Sequence, residues 1–92
     1  LAWTIRFDPR AVRDLKRLDK SIRRKIVRYL ETRVSPADDA EDLGKGLTGP
    51  LVGLWRYRVE DYRIICRIER DVLVVMVLAA GHRKDIYAHF RP

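Results

Sequence analysis

Apolar and polar residues alternate along Leu54–Val59. Leu54, Arg56 and Arg58 fall on one face of an extended segment, and Trp55, Tyr57 and Val59 fall on the other. Glu60-Asp61 interrupts the pattern as a hairpin turn would, although the usual turn glycine or asparagine is missing. Alternation resumes over residues 62–69, with Tyr62, Ile64, Cys66 and Ile68 on one face and Arg63, Ile65 and Arg67 on the other. Arg70-Asp71 marks a second short turn. Residues 72–80 then carry no polar side chain, which is the pattern of a strand covered on both faces. The run is too short to span a membrane. Three strands joined by two tight turns predict an antiparallel meander, closed by Gly81.

The N-terminal half shows a different period. Trp3-Thr4-Ile5-Arg6-Phe7 alternates and reads as an edge strand. Asp8-Pro9 is a helix start, with Asp8 as N-cap and Pro9 in the first helical position. The helix runs to about Leu18, with Ala11, Val12, Leu15 and Leu18 toward the core. After a break at Asp19-Lys20-Ser21, with Asp19 or Ser21 as cap, a second helix is expected from Ile22 to Val34. Its stripe is Ile22, Ile26, Val27, Leu30 and Val34. The short link predicts a helical hairpin with a basic outer surface. Ser35-Pro36 ends it. The acidic stretch Ala37–Asp42 reads as an exposed loop, and the glycine-rich stretch Leu43–Pro50 as a flexible lead into the meander. A short terminal helix or coil follows Arg83, with Ile86 and Phe90 packing back. The prediction is one α+β domain over residues 1–92: an N-terminal strand and α-helical hairpin packed on a mostly antiparallel sheet.

Charge sharpens this picture. Twenty lysines and arginines against thirteen acids give a net charge of +7, which points to a polyanionic partner, nucleic acid first and an acidic protein second. Arginine dominates, favouring phosphate contacts. The one cysteine, Cys66, cannot form an internal disulfide and suits a core position in a reducing cytoplasm. No signal-peptide or membrane-spanning pattern is found, so a cytoplasmic protein is expected.

If helices cover the apolar face of the meander, Arg56, Arg58 and Arg63 project from the opposite face, and Arg83 at the strand end can join them. Such a gathering of planar, permanently charged donors suits phosphate oxygens, although the same spacing also describes a solvated sheet face. No zinc spacing, calcium-loop pattern, Walker loop or Gly-x-Ser-x-Gly nucleophile is present, so no metal or cofactor is called for. Chemistry without them is open to arginine, histidine and tyrosine when RNA supplies its own 2′-hydroxyl nucleophile. His82 and Tyr87 are the candidates for moving or orienting a proton, although a histidine beside a strand end is more often structural and Tyr87 could equally be a packing residue.

The Trp-Arg-Tyr-Arg strand, the Tyr62-Arg63 hairpin exit, the buried strand and the segment Gly81-His82-Arg83-Lys84-Asp85-Ile86-Tyr87 together resemble the RelE toxin family of type II toxin–antitoxin systems. The likeness runs over nearly the whole chain and includes the N-terminal strand and helical hairpin. It implies a RelE-like fold and a ribosome-dependent messenger-RNA endonuclease that cuts the A-site codon, leaving a 2′,3′-cyclic phosphate and a 5′-hydroxyl. It implies a RelB-type antitoxin as partner, the 70S ribosome as the place of action, and operator DNA contacted only through the antitoxin complex. In family terms Arg56 and Arg58 stand where two lysines are usual, Arg63 stabilises the transition state, Arg83 protonates the leaving group, and Tyr87 orients or stacks the RNA. The second lysine is assigned as general base in the family. Arg58 is always protonated, so here Arg56 and Arg58 are expected to bind phosphate while His82 or Tyr87 assists proton transfer. The competing expectations are a ParE-like inhibitor of DNA gyrase, which shares the fold without the nuclease set, and a non-catalytic binding module.

Overall fold

The computed structural model describes residues 2–90. A five-stranded sheet has the order β1-β5-β4-β3-β2. Its strands are β1 (Thr4–Phe7), β2 (Lys45–Gly46), β3 (Trp55–Val59), β4 (Tyr62–Glu69) and β5 (Val74–His82). Strand β1 runs parallel to β5 at one edge, and the remaining pairs are antiparallel. Helices α1 (Pro9–Arg17) and α2 (Lys20–Tyr29) cover one face, and a four-residue helix α3 (Ile86–His89) lies against the other. This is the expected α+β architecture.

Helix α1 starts as its sequence dictates. The Asp8 carboxylate accepts the Arg10 amide at 2.8 Å, with Pro9 in the first turn. Such a cap is worth ~1 kcal/mol. The buried stripe is Ala11 and Leu15, with Leu18 half-buried, while Val12 is exposed, contrary to expectation. A step of four then three, rather than three and three, keeps the stripe on one side of a helix with 3.6 residues per turn. Helix α2 begins at Lys20, and Asp19 makes no side-chain cap. Ile22, Ile26, Leu30 and Val34 form its buried stripe, but the last turn, Leu30–Val34, is π-helical.

The main core joins these residues to Tyr57, Val59, Ile64, Cys66, Val75 and Val77 from the sheet. Losing a fully buried residue such as Ile26 to alanine costs ~2–5 kcal/mol. A smaller cluster, Ile65, Ala79, Ile86 and Phe90, holds α3 on the far face. The C-terminal half of β5 is therefore covered on both sides, as its apolar run predicts.

Three expectations change. The 37–42 stretch is not merely an exposed loop: Ala40 is fully buried, and a 3-10 turn over Ala40–Leu43 carries Asp39 and Glu41 to Arg70. The glycine-rich lead contains β2, paired with β3. A side chain at Gly44 would stand 2.5 Å from the Arg56 carbonyl oxygen and 2.8 Å from the Trp55 ring, so only glycine permits this close approach. Finally, β5 begins at Val74 and continues through Gly81 to His82. Val72 lies in the preceding turn, and Leu73 takes φ 54° to leave it.

Candidate functional site

Two geometric facts build the site. Strand alternation on β3 and β4 sends Tyr57, Val59, Ile64 and Cys66 to the helices, and so sends Arg56, Arg58 and Arg63 to the opposite face. The hairpin register then sets Arg58 directly across from Arg63, while Arg63 pairs on its other side with Gly81. Gly81 offers no side chain to that face, and Ile86 of α3 packs over it. Arg63 thus has an arginine on one side and, on the other, a glycine covered by Ile86.

Arg63 is the centre of the cluster. It is the one buried charged residue among those described, 8% exposed, and its Nη1 donates to the carbonyls of Glu60 and Tyr62 at 3.1 and 3.0 Å. Those contacts fix the guanidinium against the hairpin turn without neutralising it. Its pKa is lowered, first by burial, then by the like charges of Arg58 and Arg56, with Arg83 adding to them and Tyr87 acting in the opposite direction. Arg58 is exposed and has no hydrogen-bond or ion-pair partner among the described residues. The Arg56 Nε is buried without an acceptor.

Arg83 follows β5. Its amide donates to the Asp61 carbonyl at 2.8 Å, and its Nε lies 3.6 Å from the Asp61 carboxylate, so the hairpin turn and the strand end are tied together. The pair is exposed, which makes it a guide for the side chain rather than a strong bond. Tyr87, 40% exposed, rides on α3, whose Ile86 and Phe90 are buried on the same face as the arginines. Arg56, Arg58, Arg63, Arg83 and Tyr87 therefore meet at one end of one sheet face.

His82 does not join them. It pairs in register with Tyr62, and the two rings meet edge to face at 5.4 Å. Tyr62 packs against the main core, so His82 shares the helix side of the sheet, one residue out of phase with Gly81. Its Nδ1 accepts the Lys84 amide at 3.2 Å, shaping the turn that precedes α3. The expectation that His82 could stand beside the arginines is corrected by this register.

Sequence reasoning also passed over residues that hold the site. Asp61, a turn residue by its sequence, pairs with Arg83. Arg10 of α1 donates to the His89 carbonyl at 2.8 Å and lies 4.9 Å above the centroid of the Phe90 ring, anchoring α3. No local signal links positions so far apart in sequence. Among the described residues no group of three or more His, Cys, Asp or Glu could hold a metal ion, and no helix is long and apolar enough to cross a membrane.

The family model described as ParE toxin of type II toxin–antitoxin system matches residues 5–87. Toxin RelG of Mycobacterium tuberculosis is 32% identical over 87 residues, covering 95% of this chain and 98% of that protein. The crystal structure of the toxin–antitoxin complex RelBE2 from M. tuberculosis contains a similar chain, at 30% identity and a TM-score of 0.83, covering 92% of this chain and 95% of that one. A chain of the RelB–RelE antitoxin–toxin complex from Methanococcus jannaschii is 28% identical, with a TM-score of 0.66, covering 94% of this chain and 99% of that one. Fold and relatives together define the toxin component of a type II toxin–antitoxin system. Within that class, the chain belongs to the RelE/ParE superfamily.

Proposed function

We propose that this toxin is a ribosome-dependent endoribonuclease that cleaves messenger RNA at the A-site codon. The observation that carries the reading is the convergence of Arg56, Arg58, Arg63 and Arg83 on one face, where neither Arg58 nor Arg63 has an acidic partner. Like charges crowded in this way are costly in an empty site, and a phosphodiester relieves them. The buried Arg56 Nε is a further donor in need of an acceptor.

In the proposed reaction the 2′-oxygen bonds to phosphorus as the bond to the 5′-oxygen breaks. The products are a 2′,3′-cyclic phosphate and a 5′-hydroxyl. Arg58 and Arg63 face the non-bridging oxygens and stabilise the charge that grows on them. Arg56 binds the same phosphate. Arg83, exposed beside Asp61, donates a hydrogen bond to the leaving 5′-oxygen, which takes its proton from water. Tyr87 orients the attacking nucleotide and relays the 2′-hydroxyl proton to solvent water, a role in which His82 has no part from the other side of the sheet. Arginine at both 56 and 58 leaves the phosphate gripped by donors with no general base on that strand.

The reading includes a RelB-type antitoxin as cognate partner, supported by the toxin–antitoxin complexes in which the similar chains were solved. The ribosome and its messenger are the target, operator DNA is met only through the antitoxin complex, and the site of action is the cytoplasm. The test is primer extension on a defined messenger with purified toxin, with and without programmed ribosomes, beside Arg83→Ala. Cuts at A-site codons that need ribosomes and vanish in the variant support the nuclease.

One observation favours a second reading. The matching family model is that of the ParE toxins, and the usual basic lysine is replaced by Arg58. Folded toxin that leaves RNA uncut but inhibits supercoiling by DNA gyrase would establish that alternative.

A further inference from the structure

Helix α1, the end of β5 and helix α3 line a groove of about 780 Å³ at the edge of β5 beyond its pairing with β1. Arg13 and Arg17 form one wall, and Tyr62 and His82 stand in another. Arg13 and Arg17 are four residues apart on α1, so they lie side by side and repel. Neither has a hydrogen-bond or ion-pair partner among the described residues. Of the two acids that line the groove, Asp14 is already engaged. It accepts the Ala80 amide at 3.1 Å and lies 4.0 Å from Arg10. Only Asp85 remains as a counter-charge.

The groove adjoins the arginine face. Gly81, His82 and Asp85 line it, while Arg83, in the same turn, belongs to the cluster around Arg63. A single strand leaving the arginine face past Arg83 would round the end of β5 and enter this groove. There it would meet two unneutralised guanidiniums and the edge-to-face Tyr62–His82 pair. Cations interleaved with aromatic rings suit single-stranded nucleic acid, whose backbone takes the charge and whose bases take the rings. An acidic peptide would use the charge and leave the rings idle.

We propose that the groove is a second RNA subsite, in which Arg13 and Arg17 hold backbone phosphates and the Tyr62–His82 pair contacts a base flanking the cleaved nucleotide. The choice of RNA rests on the nuclease reading above.

The test is fluorescence anisotropy across a salt series with fully 2′-O-methylated RNA, which cannot be cleaved. The probes are one strand of roughly twelve nucleotides and one of about four. The proteins are wild type, Arg13→Ala/Arg17→Ala and Arg13→Lys/Arg17→Lys, each checked for an unchanged melting profile. For the long strand, the alanine variant should lower the salt slope by about 1.4 and the affinity by about 25-fold at ~0.1 M salt, as expected for two lost phosphate contacts. The lysine variant should restore the slope, and the short strand should bind all three proteins alike. Equal slopes for wild type and the alanine variant on the long strand would overturn the subsite, as would an equal loss on both strands. Weakened binding of an oligoglutamate peptide with RNA binding intact would overturn it too and assign the groove to an acidic peptide. Because the probes are uncleavable, a wild-type protein that fails to cut on ribosomes would sink the nuclease reading without touching this measurement.

Discussion

Arg58 and Arg63 stand directly opposite each other on adjacent antiparallel strands, and both project to the face away from the helices. Like charges directly opposite each other destabilise a sheet. The fold tolerates the pair because two backbone carbonyls satisfy Arg63 donors and Arg58 is exposed to solvent. A carboxylate there would stabilise the protein and occupy the place of the phosphate. Arg63→Ala is expected to lower the cleavage rate on programmed ribosomes by about 10²–10³-fold, the loss typical of one oxyanion-stabilising donor. Arg58→Ala should leave the melting temperature unchanged or slightly raised while also lowering cleavage. A thermal melt beside single-turnover cleavage separates the two effects, and a large fall in stability for Arg58→Ala would contradict the repulsion.

The opposite placement of His82 and Tyr87 makes a paired prediction. Tyr87→Phe keeps the ring on α3 and removes the hydroxyl, so single-turnover cleavage should fall by about tenfold or more if that hydroxyl takes part in proton transfer. His82→Ala, on the other side of the sheet, should keep the rate at saturating ribosome concentration within a few-fold. The reverse pattern would return His82 to the reaction and remove Tyr87 from it.

The arginine face was legible because side chains alternate with a period of two. Arg56, Arg58 and Arg63 follow from that period once Trp55, Tyr57 and Val59 are taken as core. Asp8-Pro9 likewise announced α1 through local chemistry alone. The side of the sheet on which His82 falls was not legible. It depends on the pairing of β5 with β4, where Cys66 faces Val77 and Ile65 faces Ala79, leaving Leu78 as an extra residue. That bulge puts Val77 and Ala80 on the same side, three residues apart, and shifts the phase of everything after it. Its stabilising partner, the Asp14 carboxylate on the Ala80 amide, lies 66 residues away in the chain. Strand β2 escaped notice for another reason. Two residues are too few to show a period, and its place is set by glycines fitting beneath Trp55.

Asp39 gives the fold a predictable acid response. Its carboxylate is held below the ordinary value of 3.8, first by the Glu41 amide and then by Arg70. A pKa depressed by folding contributes stability that is complete above the unfolded value and is lost as pH falls through the folded one. Asp39→Asn should therefore melt below wild type at neutral pH. The gap should close as the pH is taken down through the acid range below 3.8. A gap that stays constant to the lowest pH reached would show that the charge of Asp39 contributes nothing.

Arg10 of α1 braces the short helix that carries Tyr87. Helix α3 has four residues, far too few to be stable alone. It is held by Ile86 and Phe90 in the small core, and by Arg10, which donates to the His89 carbonyl and covers the Phe90 ring. A cation over an aromatic face contributes ~0.5–1 kcal/mol at an exposed site, and the hydrogen bond to the carbonyl adds to it. Arg10→Ala should therefore speed amide exchange over residues 86–90 while leaving β3–β5 protected. Cleavage should fall with it, because Tyr87 loses its fixed place over the arginines. Arg10→Lys keeps the charge and loses the planar fork, so it should restore only part of both effects. Exchange measured by mass spectrometry on both variants is the check. Faster exchange at 86–90 with full cleavage would mean that Tyr87 needs no anchoring by α3, and normal exchange would mean that the small core holds the helix without Arg10.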